Sequence, residues 1–382
     1  MEILISLGIM NRNILQKTIE LRHTLHMHPE LSLKETETKR ILMQFLKENT
    51  SWEIVDFGNW VYALKRAEKN SSGRIAFRAE MDALPMDENI NVSYSSQHPG
   101  VSHKCGHDGH MAALCGLAME LEHHTLSNTV YLIFQPAEEI GKGALFCKSL
   151  IQREGISQIY AFHNLSGYPE GALVYHSDVT QPASEGLKIS LAGKTSHAAE
   201  PEKGVNPAHA LSSIALYAED QIVCEQSHML LCTITGIQVG NGDFGISPGK
   251  GEICMTLRSD EEPKMKKLEK AIIDYASLQC REFGLQMDYQ ICDYFPETRN
   301  HKKCLEKVLR AAELTDISVM EMNSIWRPSE DFGYYLKECP GAMFYIGNGE
   351  QYPAVHTSEY DFNDRILRPA IEVLCKLALV YV

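Results

Sequence analysis

The 382-residue chain has no run approaching the roughly 18 to 20 consecutive apolar residues that a membrane span requires. Its apolar opening, Ile3 to Met10, follows Glu2 rather than a basic region, so no secretory leader is indicated and a cytoplasmic location is expected. Basic charge is scarce too. With 36 Lys and Arg against 50 Asp and Glu, the formal net charge is −14. That argues against nucleic acid and anionic membrane as partners, while leaving room for a local basic pocket. Internal repeats and low-complexity tracts are also missing, which removes solenoids and compositionally biased segments from consideration.

What remains is an ordinary globular composition, 44% hydrophobic and 23% charged. The length exceeds what one hydrophobic core usually supports, so two domains are expected. Eleven cysteines, odd in number, scattered and mostly in apolar surroundings, read as reduced core thiols rather than a disulfide framework.

The N-terminal third reads as two amphipathic helices, near Asn11 to His28 and Lys34 to Glu48, followed by strands and turns. Arg74 to Ala79 reads as a strand running into Glu80-Met81-Asp82-Ala83-Leu84, with Pro85 enforcing a break. A helix is expected near Met111 to His124. The apolar runs Val130 to Phe134 and Ile159 to Phe162 read as buried strands, the second ending at His163. Strands alternating with helices predict an α/β fold with a mostly parallel central sheet flanked by helices.

From about Gln181 the period changes to two. Leu187, Ile189 and Leu191, and later Ile253, Met255 and Leu257, alternate with polar residues, as in an antiparallel sheet with one wet face. Helices at Pro207 to Asp220 and at Glu262 to Phe283, stopped by Gly284, join strands near Leu230 to Val239 and Met287 to Tyr294. The order β-α-β-β-α-β predicts an inserted ferredoxin-like α+β domain. The α/β pattern then resumes with a helix near His301 to Ala312, a strand at Ala342 to Ile346 and a closing helix near Ile366 to Tyr381. The expected division is 1–182 with 294–382, and 183–293 between them.

The most informative stretch is Cys105-Gly106-His107-Asp108-Gly109-His110, followed by Gln135-Pro136-Ala137-Glu138-Glu139. A thiol, imidazoles and paired carboxylates are the donors a protein needs to hold a transition metal and activate water. Cys105 and His107 alone, two apart on a Gly-interrupted loop, read as packing more readily than as ligation. Glu138 and Glu139 strengthen the metal reading, because they follow a buried strand and a proline, at the strand edge where α/β sheets place their sites. His163 likewise ends a strand pattern, and His356 follows a Gly/Pro-rich loop.

Six blocks occur in a familiar order: Arg78-Ala79-Glu80-Met81-Asp82-Ala83-Leu84-Pro85, the Cys105 to His110 block, Phe134 to Glu139, Gly193-Lys194-Thr195-Ser196-His197-Ala198-Ala199, Ser329-Glu330-Asp331-Phe332 and His356-Thr357-Ser358. From about His28 to Asp364 the chain resembles the M20 metallopeptidase superfamily, in its amidohydrolase branch of aminoacylases, hippurate hydrolases, N-acetyldiaminopimelate deacetylases and auxin-conjugate hydrolases. The resemblance implies two divalent metal ions per subunit, held by Cys105, His107, Glu139, His163 and His356, with one ligand bridging. Zinc or manganese suits these donors, with cobalt and nickel as further options. It implies Glu138 as general base toward a water that the metals acidify, and Asp82 as a carboxylate that orients a ligand.

Glu80 stands where the superfamily usually has His; in this branch Cys105 supplies the missing ligand, which makes the site sensitive to oxidation. The resemblance further implies that 183–293 is a lid and dimerisation domain. Its His197 would stabilise the oxyanion in the partner's site of a homodimer, and Arg258 would pair with a substrate carboxylate. The usual Asn-x-x-Pro element is here Gly245-Ile246-Ser247-Pro248, which removes a side-chain donor unless Asn241 replaces it.

Other residues have plainer readings. His26 and His28 sit at a helix end, where the dipole favours histidine, and Asp260-Glu261-Glu262 reads as a solvated helix start. His103 and His110 flank the cluster without ligating, His110 capping or packing. Glu330 and Asp331 read as capping and support rather than as metal ligands. The expected activity is a metal-dependent amidohydrolase that removes an N-acyl group from an amino acid or a small amino-acid conjugate bound between the α/β domain and the lid. An M20-type dipeptidase and a catalytically impaired metal- or ligand-binding relative are the alternatives.

Overall fold

A computed structural model describes residues 11–68, 73–225 and 228–380; the opening Ile3 to Met10 and Tyr381 lie outside the described residues. The chain divides into two compact units. One comprises Met1–Thr180, Thr298–Asn323 and Asp331–Val382, the other Gln181–Glu297 and Ser324–Glu330.

The first unit is built on an eight-stranded sheet. In spatial order its strands are Glu53–Asp56, Val61–Lys65, Thr129–Gln135, Arg74–Glu80, Gln158–Ser166, Gly341–Gly349, Leu173–Tyr175 and Val319–Glu321. The four central strands, Thr129–Gln135 through Gly341–Gly349, run parallel to one another. Antiparallel pairing is confined to the flanks. Composition accounts for this division: Val130 to Phe134 offer no polar face, every residue from Val130 to Gln135 is buried, and such a strand needs helices over both sheet faces. The covering helices include Arg12–Met27, Thr36–Asn49, His107–Leu121, Lys302–Glu313 and Leu367–Val380. A mostly parallel α/β sheet flanked by helices, the expectation from sequence, is the observed fold.

Two differences of detail bear on the site. The helix expected near Met111 to His124 starts at His107 and ends at Leu121, so His107 is its first residue rather than part of a loop. The strand expected to end at His163 continues to Ser166, which embeds His163 in the sheet. The short strands Leu173–Tyr175 and Val319–Glu321 carry too few residues to show a period.

The second unit follows the order β-α-β-β-α-β through Ala183–Ala192, Ala208–Asp220, His228–Val239, Lys250–Ser259, Glu262–Phe283 and Gln286–Phe295. Its sheet places these strands in the spatial order Gln286–Phe295, Ala183–Ala192, Lys250–Ser259, His228–Val239, all antiparallel, with Val223–Glu225 added at the edge as a hairpin. The alternating Leu187, Ile189, Leu191, Ile253, Met255 and Leu257 form one side of its core against Leu211, Ile214, Leu268 and Ile272 of the two helices. Gly284, with φ 69, ends the long helix.

Among the described residues, ten cysteines are free, eight of them buried, and no helix is long and apolar enough to cross a membrane.

Candidate metal centre

The four parallel strands at the centre of the first unit each deliver functional side chains at or beyond their C-terminal ends. Glu138 and Glu139 follow Thr129–Gln135, Glu80 and Asp82 close Arg74–Glu80, His163 lies late in Gln158–Ser166, and His356 follows Gly341–Gly349. Because neighbouring strands run the same way, residues far apart in sequence meet at one sheet edge. Cys105 and His107 arrive there through Gly106. That glycine has φ 96, and a Cβ on it would run into Asn164 Oδ1, so only glycine can make the step from Cys105 into the helix.

The donor atoms converge on one another. Cys105 Sγ is 3.4 Å from His163 Nε2. His107 Nε2 is 3.9 Å from both Glu138 Oε2 and Glu139 Oε1, and His356 Nε2 is 3.5 Å from Glu139 Oε1. Three sets, Cys105/His107/His163, Cys105/Glu139/His356 and His107/Glu138/Glu139, each have their donor atoms within 4.8 Å of one another. His107 Nε2 and Glu139 Oε1 are buried with no hydrogen-bond partner. Buried polar atoms are rarely left so, and a divalent cation would satisfy them. The thiol, imidazole and carboxylate donors fit such an ion.

Hydrogen bonds behind the cluster set the ring tautomers. His107 Nδ1 lies 2.8 Å from the Asp82 main-chain carbonyl, while the nearer Asp82 carboxylate oxygen stands 3.6 Å away, so the carbonyl takes the hydrogen bond. His163 Nδ1 donates to Asn164 O at 2.7 Å. Each ring therefore keeps Nδ1 as the donor and turns Nε2 toward the cluster. The Asp82 carboxylate accepts from Ser32 Oγ at 2.7 Å and from the Glu139 amide at 3.0 Å.

Charge balance points the same way. Burial pushes the Cys105 thiol well above its usual pKa, with Glu139 and Glu138 adding to the shift. Burial pushes His163 well below the usual imidazole range, with His110 adding to it. At His107 burial acts downward but is outweighed by the nearby carboxylates of Asp82, Glu80 and Glu139, which raise it to about 10. A surplus of carboxylate thus holds a proton on His107, a place that a divalent cation would take over.

Neighbouring acidic and imidazole groups are already engaged. Glu80 pairs with Arg78 and lies 2.7 Å from His110 Nδ1, and His110 Nε2 is 2.8 Å from Asn164 Oδ1. The donors of Glu80, His107 and His110 also cluster, but Glu80 and His110 are bonded to each other. Asp331 accepts from Arg78, from Gln135 Nε2 and from the Ala144 amide, tying two strands to the helix Gly143–Cys147. His26 is held between Asp108 Oδ2 and Glu88 Oε1, both at 2.7 Å, which explains its place better than the helix end does. His103 is buried with both ring nitrogens lacking hydrogen-bond partners, and burial pushes it down to about 3. Ser32, Glu35 and Asn164 carry no signal in the sequence, since isolated polar residues give no spacing pattern, and Arg78 stands out there only as part of a motif block.

The remaining expected residues belong to the second unit. His197 is exposed on the two-residue strand Ser196–His197, paired with Ile246–Ser247, and its Nδ1 accepts the Ala199 amide at 3.0 Å. The Ala198 amide donates to Gly245 O, so the stretch standing in for Asn-x-x-Pro runs beside His197. Asn241 is exposed in the same loop. Arg258, on the strand Lys250–Ser259, donates from Nη1 to Arg327 O and Ser329 Oγ.

Known proteins provide a comparison. The peptidase family M20/M25/M40 matches residues 76–380. An N-acetyldiaminopimelate deacetylase from Priestia megaterium is 30% identical over 366 residues, covering 94% of this chain and 96% of its own. Thermostable carboxypeptidase 1 of Saccharolobus solfataricus is 28% identical, over 94% and 93% of the two chains. The crystal structure of the Bacillus subtilis YXEP protein, a dinuclear metal binding peptidase from the M20 family, superposes with a TM-score of 0.85 at 26% identity, covering 97% and 99%. With the family match spanning most of the chain, and the converging donors at the sheet edge, this chain belongs to peptidase family M20/M25/M40 and is a hydrolase of amide bonds.

Proposed function

We propose that this enzyme is an N-acyl-amino-acid amidohydrolase working in the cytoplasm on two divalent metal ions. The observation that carries the reading is the convergence of Cys105, His107, Glu139, His163 and His356 around one sheet edge with Glu138 beside them. When bound, the ions lower the pKa of water and polarise the scissile carbonyl. Glu138, which lies within reach of His107 yet is not needed to complete the donor set, takes the proton from the attacking water and returns it to the leaving amine. Asp82 and its carbonyl keep His107 and the Glu139 amide in register.

The second unit is proposed as the lid and dimerisation domain, with 183–293 as its extent in sequence. His197 steadies the oxyanion, and Arg258 meets a substrate carboxylate with the guanidinium nitrogens that Arg327 and Ser329 leave unused. Sedimentation of the active enzyme should give a homodimer; a fully active monomer would overturn the dimer.

Substrate class is tested by screening N-acetyl and N-benzoyl amino acids against dipeptides, on apo-protein reloaded separately with zinc, manganese, cobalt or nickel. N-acyl amino acids should turn over fastest. Much faster turnover of dipeptides would favour the second reading, a peptidase, which the carboxypeptidase relative keeps open. Full metal loading with no turnover of any amide would favour a binding protein.

A further inference from the structure

Residues Leu31 to Glu35 supply none of the proposed metal donors, yet one of their side chains reaches the turn that presents Glu138 and Glu139 and another holds the carboxylate that braces it. Glu35 is 5% exposed, and its Oε1 accepts the Ala137 amide at 2.8 Å. Ser32 Oγ donates to Asp82 Oδ2, the oxygen that also accepts the Glu139 amide. The main chain anchors this segment, since Leu31 bridges Ala83 and the Ala83 amide donates to Glu30 O at 2.8 Å. Two amides of the turn, at 137 and 139, are thus held by carboxylates, one from this segment and one braced by it.

Ala137 requires such a hold. Its φ is 54, a left-handed conformation that a residue with a Cβ adopts at a cost. Its carbonyl accepts the Lys142 and Gly143 amides, and Gly143 has no room for a Cβ against Pro136 O. A turn in this state persists only where its surroundings over-determine it. Helix capping does not explain Glu35. It occupies the N-cap of Thr36–Asn49, yet its side chain makes no capping bond there and is spent on Ala137 instead. Burial and the nearby Asp82 carboxylate push its carboxyl up to about 7, a cost that a surface-capping acid would not bear.

We propose that Glu35 is a positioning residue for amide hydrolysis: by accepting the Ala137 amide it fixes the turn whose next two side chains are the general base and a metal ligand. This rests on Glu138 and Glu139 holding those roles.

The test compares Glu35→Met, which keeps the volume but removes the acceptor, with Glu35→Gln, which keeps both. Glu35→Met should lower kcat by about 10- to 100-fold, because small misplacements of a reacting group carry costs of that order. KM should stay within about twofold, and Mn²⁺, titrated against a chelating dye, should bind several-fold more weakly. Glu35→Gln should restore both quantities to near wild type, a rescue that a role in charge or bulk alone would not give. Wild-type kcat and Mn²⁺ affinity in Glu35→Met, or equal damage in Glu35→Gln, would overturn the proposal. If the wild-type enzyme hydrolyses no amide, the functional reading fails, and the Mn²⁺ affinities still decide the role of Glu35. Should Glu35→Met fail to fold, Glu35→Asp, which withdraws the acceptor by one methylene, takes its place.

Discussion

Glu139 Oε1 lies 3.9 Å from His107 Nε2 and 3.5 Å from His356 Nε2, and Glu138 Oε2 lies 3.9 Å from His107 Nε2. Glu138 and Glu139, adjacent in sequence, are proposed for different roles, general base and metal ligand. Glu138→Gln should therefore keep its metal, measured by elemental analysis, while kcat falls by about 10²- to 10⁴-fold, the usual contribution of a positioned general base. Near-full activity with metal retained would sink that assignment. Cys105 is distinct because its thiol resists ionisation until a cation arrives. Cys105→Ser should bind zinc more weakly and be indifferent to peroxide, whereas the wild type should lose activity on oxidation. Equal peroxide sensitivity in both would show that another group is the target.

His26 gives a prediction about stability. Burial acts to lower its pKa, but Asp108 and Glu88 outweigh that and raise it to about 9. A group whose folded pKa is raised stabilises fully below its unfolded value, near 6.5, and loses that contribution as pH climbs through about 9. Thermal melts should show His26→Leu less stable than wild type near pH 6, with the gap narrowing between pH 7 and 10. A gap independent of pH would mean that His26 contributes packing alone.

At the scale of elements, the loop-to-helix junction at Gly106 and the strand Arg74–Glu80 carry the site. Gly106→Ala faces both a φ of 96 and a collision with Asn164. It should lower the melting temperature and release Cys105 and His107 from register, visible as substoichiometric metal; a variant that melts and binds metal normally would show that the junction tolerates a Cβ. Arg78 lies buried between Glu80 and Asp331. Arg78→Ala should destabilise by roughly 3 to 5 kcal/mol in denaturant unfolding, because it leaves buried carboxylates uncompensated. A loss below about 1 kcal/mol would mean that those carboxylates find other partners.

At the scale of the whole molecule, the five proposed metal donors come from four separate stretches of the first unit, at Cys105 with His107, at Glu139, at His163 and at His356. An ion joining them binds the folded state and not the unfolded chain, so it stabilises by about 2.7 kcal/mol at 100-fold over its Kd. Removing metal with a chelator should lower the melting temperature by several degrees, and adding Mn²⁺ or Zn²⁺ should restore it in a concentration-dependent way. Melting curves that superpose with and without metal would argue against occupancy of these donors.

Much of this was legible beforehand. The unbroken apolar runs at Val130 to Phe134 and Ile159 to Phe162 required a doubly covered sheet, and the period-two pattern of Leu187, Ile189 and Leu191 required a one-sided one; burial periodicity is a local property that any contiguous stretch displays. The grouping of Cys105, His107, Glu139, His163 and His356 was reached in the sequence through family motifs, since no local pattern joins residues 250 positions apart. Tertiary structure alone decided that the Asp82 carbonyl and not its carboxylate takes the His107 hydrogen bond. It alone drew Glu35 away from its helix to the Ala137 amide and engaged His110 with Glu80 and Asn164. Those outcomes depend on which buried donor finds which acceptor across parallel strands and turns, and that matching exists only once the chain has closed on itself.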